Sequence, residues 1–315
     1  MLSACGGLRC PLRVAWHTGI MAGRGSNQYR RHTGLAAHAL PGGRPPGLDL
    51  QIRERRWRER LQQARDSQTS AAQLARFARD EDPYVRTNLA GNLDCPPELL
   101  RVLAADSNSR VRRQVASRDD CPQDVFASLA QTNNVDVLQA VAQNQSCPPG
   151  ILGTLALDPA AEVRRQVADN PSCPPGSLGM LAMDRLSLVR LSVAGNPSSP
   201  PDALDRLSRD PDRDVVWQVV HNLACPPETI GVLALGGLPV AVRSPRCLPG
   251  ALRQLAHSRS STVRLYVADN PGTPPDVLER LLRSRDIQVQ RAAAANPSLP
   301  RPVLAMWQLA HGRPK

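Results

Sequence analysis

Two clusters of apolar residues alternate with polar residues along most of this chain, and the pair of clusters returns every 26 residues. In the first cluster, leucines stand three residues apart, as in Leu178 and Leu181. In the second, valines stand four apart, as in Val163 and Val167. Both spacings place the apolar side chains on one face of a helix. Each interval therefore predicts two short amphipathic helices, which we call helix A and helix B.

Proline and asparagine mark the ends of these helices. The consensus of the interval is Cys-Pro-Pro-x-x-Leu-x-x-Leu-Ala-x-Asp-x-x-x-x-Val-Arg-x-x-Val-Ala-x-Asn-Pro-x. Helix A is predicted to begin at the proline pair, because the first N–H groups of a helix have no helical acceptor. Helix B is predicted to end at Asn-Pro, as at Asn170-Pro171, with the asparagine in the left-handed conformation and the proline preventing continuation.

The recurrence of the interval predicts an all-α solenoid of two-helix repeats, similar to HEAT and armadillo arrays in general architecture. Neither helix is long enough to be stable alone, so each must bury its apolar face against the next repeat. The successive repeats begin at Thr69, Cys95, Cys121, Cys147, Cys173, Ser199, Cys225, Cys247, Thr273 and Leu299.

The composition divides the chain into four segments. Residues 1–47 are rich in Gly, Arg and Pro and are predicted to be disordered. Residues 48–68 are predicted to form a charged helix that caps the array, since the end of a solenoid needs a polar face. Residues 69–310 form the predicted solenoid, and residues 311–315 are a tail.

One repeat is shorter than the others. Cys225 and Cys247 are 22 residues apart, four fewer than the period. The sequence between them passes through Gly236-Gly237 to Val242-Arg243, and the next repeat follows almost at once. We therefore assign the missing residues to helix B, and we expect a kink or a local change of twist at this point.

Arginine and aspartate recur in register with the repeats. The arginines are Arg86, Arg112, Arg164, Arg190, Arg243 and Arg264, and the aspartates are Asp80, Asp106, Asp158, Asp184 and Asp210. A stripe that binds phosphate is one reading of the arginines. Because the two series recur together and cancel in charge, we favour ion pairs that fix the register of stacking.

Six repeats carry one cysteine each, and metal ligation is one reading of them. Neighbouring repeats are expected to lie about 10 Å apart, the spacing of packed helices. That distance exceeds the reach of a zinc site or a disulfide. Ser199, Thr273 and Leu299 occupy the same position, which indicates a small, semi-buried side chain. We therefore expect no metal and no other cofactor. The cysteines are Cys95, Cys121, Cys147, Cys173, Cys225 and Cys247.

The position two residues after the first valine of helix B varies between repeats and lies about 200° around the helix from it, on the face opposite the core. Apolar and aromatic residues where solvent is expected are candidate anchors of an interface, and packing on neighbouring helix B side chains is the alternative. The partner-binding candidates are Arg113, Arg165, Leu191, Trp217 and Leu265, with the adjacent Tyr266.

Positive charge is concentrated at the beginning of the chain. The formal net charge is +11, and residues 1–60 hold 11 arginines against three acidic residues. A basic arm attracts nucleic acid, anionic membrane or acidic protein. No stretch approaches the ~18–20 apolar residues of a membrane span, and no Walker, dinucleotide-binding or HExxH motif is present. The expectation is a cytoplasmic monomer that is not an enzyme, with no catalytic residues.

The sequence Val-Arg-x-x-Val-Ala-x-Asn-Pro, followed by Pro and Leu-x-x-Leu-Ala-x-Asp, resembles the leucine-rich repeat variant family over residues 69–310. The resemblance implies a right-handed superhelix in which each repeat pairs an α-helix with a shorter helix. One branch of the family holds an iron–sulfur cluster through cysteines ahead of the repeats. Here only Cys5 and Cys10 precede them, fewer than the four thiols such a cluster needs.

These observations predict a non-catalytic scaffold that binds a partner protein through the variable face of helix B. The first alternative is a nucleic-acid-binding repeat protein, with residues 1–60, Arg113 and Arg165 contacting phosphates. The second alternative is an iron–sulfur protein of the family branch described above.

Overall fold

A computed structural model describes the backbone of residues 46–311 and the side chains of residues 50–310. In this range the chain forms twenty α-helices and no strand, so the fold is all-α as predicted. The chain divides into two compact units, residues 1–56 and 57–315. Most of the segment predicted to be disordered, 1–47, and most of the tail predicted at 311–315 lie outside the described residues.

The first helix, α1 (Pro46–Arg65), corresponds to the charged helix predicted at 48–68. The A helices are α2 (Ala71–Phe77), α4 (Pro97–Ala104), α6 (Gln123–Leu129), α8 (Pro149–Leu155), α10 (Pro175–Leu181), α12 (Pro201–Leu207), α14 (Pro227–Leu235), α16 (Pro249–Leu255), α18 (Pro275–Leu281) and α20 (Arg301–His311). The B helices are α3 (Pro83–Ala90), α5 (Ser109–Ala116), α7 (Val135–Gln143), α9 (Ala161–Asp169), α11 (Ser187–Gly195), α13 (Arg213–His221), α15 (Pro239–Arg243), α17 (Ser261–Asp269) and α19 (Ile287–Ala295).

Helix A begins at the proline pair, as α10 shows. Pro174 is the residue that caps the helix, and Pro175 is its first helical residue, where the missing N–H breaks no hydrogen bond. The Pro174 carbonyl accepts the first helical hydrogen bond from the Leu178 N–H, at 3.0 Å. Leu178 and Leu181 are buried.

Helix B ends at the asparagine, but the conformation predicted for that residue was wrong. Asn170 has φ −75° and ψ 122°, which is extended backbone rather than left-handed helix. A following proline disfavours the helical region for the residue before it, and Pro171 therefore accounts for part of this geometry. Asn222 is not followed by proline, yet it has φ −71° and ψ 123°. A second cause must therefore hold the asparagine extended.

That cause is a hydrogen-bonded bridge to the preceding repeat. The Asn170 Nδ2 donates to the carbonyls of Ala142 and Asn144, at 2.7 and 2.9 Å, and its Oδ1 accepts from the Ser172 N–H at 2.8 Å. The bridge satisfies carbonyls at the end of the preceding helix B, which have no helical donor. Seven residues make it, each to the carbonyls 28 and 26 residues earlier: Asn92, Asn144, Asn170, Asn196, Asn222, Asn270 and Asn296.

Arginine replaces asparagine in one repeat and reaches the same acceptors. Arg118 stands 26 residues before Asn144, and its Nη1 donates to the carbonyls of Ala90 and Asn92, at 2.9 and 2.5 Å. The bridge between repeats therefore does not require asparagine, because arginine can donate to the same two carbonyls.

The core is one continuous apolar cluster that runs from Ala64 to Leu299. Each helix B packs along the helix B of the next repeat, except that α13 and α15 meet over a short stretch only. The six repeat cysteines are all buried, as are Ser199, Thr273 and Leu299 in the same position. This position is therefore fully buried rather than semi-buried.

The part of α1 from Trp57 onward packs on the first repeat. The Trp57 Nε1 donates to Asp82 at 2.5 Å, and the Arg60 Nε lies 3.0 Å from an Asp80 carboxylate oxygen. The carbonyl of Ala64 accepts from the Asn92 Nδ2 at 3.1 Å. This stretch of α1 therefore supplies the contacts that a preceding repeat supplies elsewhere.

Candidate partner-binding site

The shortened repeat keeps the end of its helix B and lacks the beginning. Helix α15 has five residues, whereas its neighbours α13 and α17 have nine. The Asn270 Nδ2 donates to the carbonyls of Val242 and Ser244, at 2.6 and 2.8 Å, which are again 28 and 26 residues earlier. The end of the helix is therefore in register, and the four missing residues belong to its first turn. Their assignment to helix B was correct.

This register corrects the position predicted for Arg243. Arg243 directly precedes Ser244, which takes the place of the bridging asparagine, so it corresponds to His221 in the repeat before. It does not belong to the series of arginines that contains Arg164. The pair Val242-Arg243 matches the Val-Arg of the consensus, but it stands at the end of helix B. The deletion has removed the first turn, in which the consensus pair occurs.

Gly237 makes the connection into the shortened helix. It has φ +88°, a conformation that side chains other than glycine rarely adopt. It follows α14, which has nine residues where α10 has seven. The chain therefore reverses over Gly236-Gly237 and enters α15 without the usual first turn.

The missing turn leaves a cleft of about 600 Å³ between α13 and α15. The lining residues are Trp217, Val220, His221, Leu223, Pro239, Val240, Arg243, Ser244, Pro245 and Arg246. Trp217 is 51 % exposed and Leu223 is 85 % exposed, although both are large and apolar. We call this the Trp217 cleft.

Trp217 and His221 form one side of the Trp217 cleft as a stacked pair. Their ring centroids lie 3.8 Å apart, with an angle of 30° between the ring planes. The His221 Nδ1 lies 2.8 Å from the Trp217 carbonyl oxygen, which can only accept a hydrogen bond. The Nδ1 therefore carries a proton, and the contact fixes the imidazole against the indole.

Two arginines supply the charge of the cleft, and its lining contains no carboxylate. The Arg246 Nη1 donates to the Asn222 carbonyl at 2.8 Å, and its Nη2 donates to the Cys225 carbonyl. Arg246 thus takes over part of the bridge that Ser244 is too short to make. The Arg243 guanidinium lies over the Tyr266 ring, 5.4 Å from its centroid, and forms no ion pair with the described residues. Its positive charge therefore has no carboxylate partner in the described chain.

The structure divides the predicted partner-binding candidates into two groups. Leu191, Leu265 and Tyr266 are partly buried and pack against the core. These three residues are therefore packing residues rather than exposed anchors of an interface. Arg113 is exposed, and Arg165 lies 3.3 Å from Asp169 of its own helix. Only Trp217 combines a large apolar side chain with high exposure.

The arginine and aspartate series form ion pairs between consecutive repeats. The pairs are Arg86–Asp106, Arg164–Asp184 and Arg190–Asp210, each with a 2.6 Å contact from the arginine Nε. A hydrogen bond with Asp184 and the negative charge of that carboxylate raise the pKa of Arg164, although burial opposes them. In the other members the pairing differs. Asp80 pairs with Arg60, and leucine stands twenty residues before Asp158, where the paired repeats have arginine. The residues twenty positions after Arg112 and Arg264 are Thr132 and Ser284.

The six repeat cysteines are buried, and burial raises the pKa of each thiol. Burial raises the pKa of the Cys147 thiol to about 12 and that of Cys173 to about 11. Among the described residues, no three His, Cys, Asp or Glu side chains lie close enough to hold a metal ion. No described helix is long and apolar enough to cross a membrane.

Sequence reasoning identified Trp217 but missed its neighbours His221, Leu223 and Arg246. A signal for Leu223 was present, because prolines 171, 197, 245, 271 and 297 occupy the corresponding position in other repeats and leucine replaces them here. Residues 1–45 of the basic arm lie outside the described residues, so nucleic-acid binding through 1–60 stays a prediction.

Comparison with known proteins agrees with this architecture. A family model described as "Leucine rich repeat variant" matches residues 161–186, 188–212 and 262–286. A solved structure described as a leucine-rich repeat variant with a novel repetitive structural motif is 28% identical, with a TM-score of 0.51. The match covers 69% of this chain and 88% of that one.

Two further solved structures are more distant. The YibA protein of Escherichia coli is 15% identical over 85% of this chain and 99% of its own, with a TM-score of 0.36. An engineered protein is 17% identical over 83% of this chain and 89% of its own, with a TM-score of 0.31. No curated protein sequence matches the chain. The matched segments of this chain are therefore leucine-rich repeat variant repeats, stacked in a helical-repeat solenoid.

Proposed function

We propose that this protein is a non-catalytic scaffold that binds a partner protein at the Trp217 cleft. The observation that carries the proposal is a large aromatic side chain, 51 % exposed, beside an opening of about 600 Å³ in an otherwise closely packed row of B helices. Tryptophan, tyrosine and arginine are the usual anchors of protein interfaces. Burial of Trp217 and Leu223 on binding would remove their apolar surface from water at a gain of ~25 cal/mol per Å².

The chemistry of the cleft selects the kind of segment that fits. The Trp217–His221 pair offers a flat apolar wall for an aromatic side chain or a proline. Arg243 stands across the cleft and has no carboxylate partner among the described residues, so an aspartate or glutamate of the partner can pair with it. We therefore propose an extended peptide segment in which an aromatic residue or proline lies next to an acidic residue.

A non-catalytic role is consistent with the side chains that are present. The His221 Nδ1 is held by the Trp217 carbonyl, and the His257 Nε2 lies 2.6 Å from the Arg280 Nη1. Among the described residues, neither histidine forms a hydrogen bond with a serine or cysteine side chain that it could activate as a nucleophile. These contacts support binding rather than bond-breaking chemistry at the cleft.

The test is selection of a displayed random peptide library on the full-length protein, followed by fluorescence anisotropy with the enriched peptides. We expect enriched peptides to pair an aromatic residue or proline with Asp or Glu. Trp217→Ala and Arg243→Glu should each weaken binding by tenfold or more. Leu223→Ala should also weaken binding.

The matched control is Leu93→Ala. Leu93 occupies the same place after the bridging asparagine as Leu223 and is 82 % exposed, but it lies outside the cleft. Peptides that bind Trp217→Ala as tightly as the unchanged protein would show that the cleft is not the site. If the enriched peptides are acidic but share no sequence pattern, and their binding is lost in moderate salt, the basic arm attracts them instead.

A further inference from the structure

Aspartate carboxylates fill one recurring position between the repeats. In the repeat that follows Arg164, the Asp184 carboxylate accepts from the Arg164 Nε and Nη2, at 2.6 and 3.1 Å. The same carboxylate accepts from the Leu186 N–H at 2.9 Å. The pairs Arg86–Asp106 and Arg190–Asp210 repeat this arrangement, with Nε–Oδ2 distances of 2.6 Å. Two oxygens of one planar carboxylate thus satisfy a guanidinium and a backbone N–H together.

In one repeat the carboxylate is missing and the donors remain. Thr132 stands twenty residues after Arg112, in the position of Asp184 relative to Arg164. The Arg112 Nη1 donates to the carbonyls of Asp106 and Ser107, at 2.5 and 3.1 Å. Arg164 makes the same two contacts, with the carbonyls of Asp158 and Pro159. The Arg112 guanidinium is therefore held as in the paired repeats.

Two polar atoms at this position are buried and have no partner in the described chain. They are the Arg112 Nε and the Thr132 Oγ1. The backbone N–H that would bond to the carboxylate belongs here to Asn134, and it does not reach the Thr132 hydroxyl. Both residues are partly exposed, but these two atoms are buried, and a buried polar atom without a hydrogen bond is costly.

We propose that a small free carboxylate anion, such as formate or acetate, binds between Arg112 and Thr132 and takes the role that an aspartate carboxylate has in the paired repeats. One oxygen of the anion would accept from the Arg112 Nε, and the other from its Nη2. The Thr132 hydroxyl and the Asn134 N–H supply the remaining donors. A planar anion with two oxygens matches the guanidinium better than a spherical one, because it accepts two parallel hydrogen bonds.

Charge favours an anion over water in the gap. Asp106, the nearest carboxylate of the series, is already paired with Arg86. A water molecule could satisfy the hydroxyl and one N–H, but only an anion also supplies a charge opposite to that of the Arg112 guanidinium. This site is separate from the Trp217 cleft and does not depend on the function proposed for it.

The experiment follows the thermal unfolding midpoint of the full-length protein in sodium formate, with sodium fluoride keeping the ionic strength constant. An anion that binds the folded state raises the midpoint with a dependence that saturates. We expect this rise for formate and acetate in the unchanged protein. We also expect the ¹³C resonance of added formate to broaden in its presence.

Two variants and one control decide the outcome. Thr132→Asp supplies the carboxylate covalently, so its midpoint without formate should exceed that of the unchanged protein and should no longer respond to formate. Arg112→Gln should lose the response without gaining stability. Arg165→Gln, in which an arginine outside the series is changed, should keep the response. An equal formate response in all four proteins, or no formate broadening by the unchanged protein, would overturn the proposal and leave water in the gap.

Discussion

Replacement of Asn196 by alanine tests whether the asparagine bridge holds the repeats together. The Asn196 Nδ2 donates to the carbonyls of Ala168 and Asn170, at 2.7 and 2.9 Å, and the Oδ1 accepts from the Ser198 N–H at 2.8 Å. Asn196 is 2 % exposed, so water does not replace these partners in the folded chain. Asn196→Ala removes all three hydrogen bonds at once.

The expected loss can be estimated group by group. The Asn170 carbonyl also accepts from the Cys173 N–H at 3.0 Å, so it keeps one partner. The Ala168 carbonyl and the Ser198 N–H are left without a donor or acceptor. Each such group costs about 1–3 kcal/mol when buried, so the free energy of unfolding should fall by about 2–6 kcal/mol. The loss is concentrated at one interface, because repeats contact only their neighbours.

Native-state hydrogen exchange is the appropriate assay, since a solenoid can open at one interface without unfolding as a whole. Amides of α9 and α11 should lose protection in Asn196→Ala, while amides of α3 and α5 keep theirs. Asn108→Ala is the matched control, because Asn108 makes one local contact with the Arg110 N–H at 2.9 Å and its loss should cost ~1 kcal/mol. Asn196→Asp keeps the volume of the side chain but places an oxygen against the two carbonyls. Its effect therefore reports the loss of the hydrogen bonds rather than the loss of volume. If Asn196→Ala costs no more than Asn108→Ala, the bridge does not stabilise the stack.

Two further predictions concern pH and thiol chemistry. The hydrogen bond with Arg190 holds the pKa of Asp210 below its usual value, although burial opposes it. A carboxyl with a lowered pKa in the folded state stabilises the fold above its unfolded pKa of ~3.9, and this contribution disappears as pH falls through the folded value. Asp210→Asn should therefore lower the unfolding midpoint at pH 7, and the difference from the unchanged protein should narrow from pH 4 to pH 2; a constant difference would contradict the pairing. Since burial raises the pKa of Cys147 to about 12, iodoacetamide at pH 8 should leave this thiol unlabelled in the native protein and modify it quickly after denaturation. Peptide-resolved mass spectrometry measures this, and native labelling as fast as that of glutathione would show that the thiol is exposed.

The period and the ends of the helices could be predicted because they depend on local rules. Pro175 at the first position of α10 needs only the absence of a helical acceptor, which the sequence shows. The conformation of Asn170 could not be predicted in this way. Its partners, the carbonyls of Ala142 and Asn144, lie in another repeat, and only the stack brings them within 2.7 and 2.9 Å.

In the candidate site too, features set by the local sequence could be predicted, whereas features set by the stacking of repeats could not. The sequence placed Trp217 on the outer face of helix B, and the structure finds it 51 % exposed. It could not place the deletion within helix B, because the residues Val242-Arg243 also fit the beginning of that helix. The hydrogen bonds of Asn270 to Val242 and Ser244 decide the register, and they move Arg243 from the arginine series to the cleft.

The stack and the apolar wall of the Trp217 cleft depend on different residues, although Arg246 contributes to both the stack and the cleft. On the stacking side, Cys225 and Cys247 remain buried, and Arg246 reaches the carbonyls of Asn222 and Cys225 where asparagine is absent. Arg246 also lines the opening, but Trp217, which supplies its apolar wall, takes no part in that bridge. A deletion of four residues has therefore opened the row of B helices without interrupting the core. It follows that Trp217→Ala should remove the apolar wall while the array stays folded, and this separation makes the proposed binding function testable by substitution.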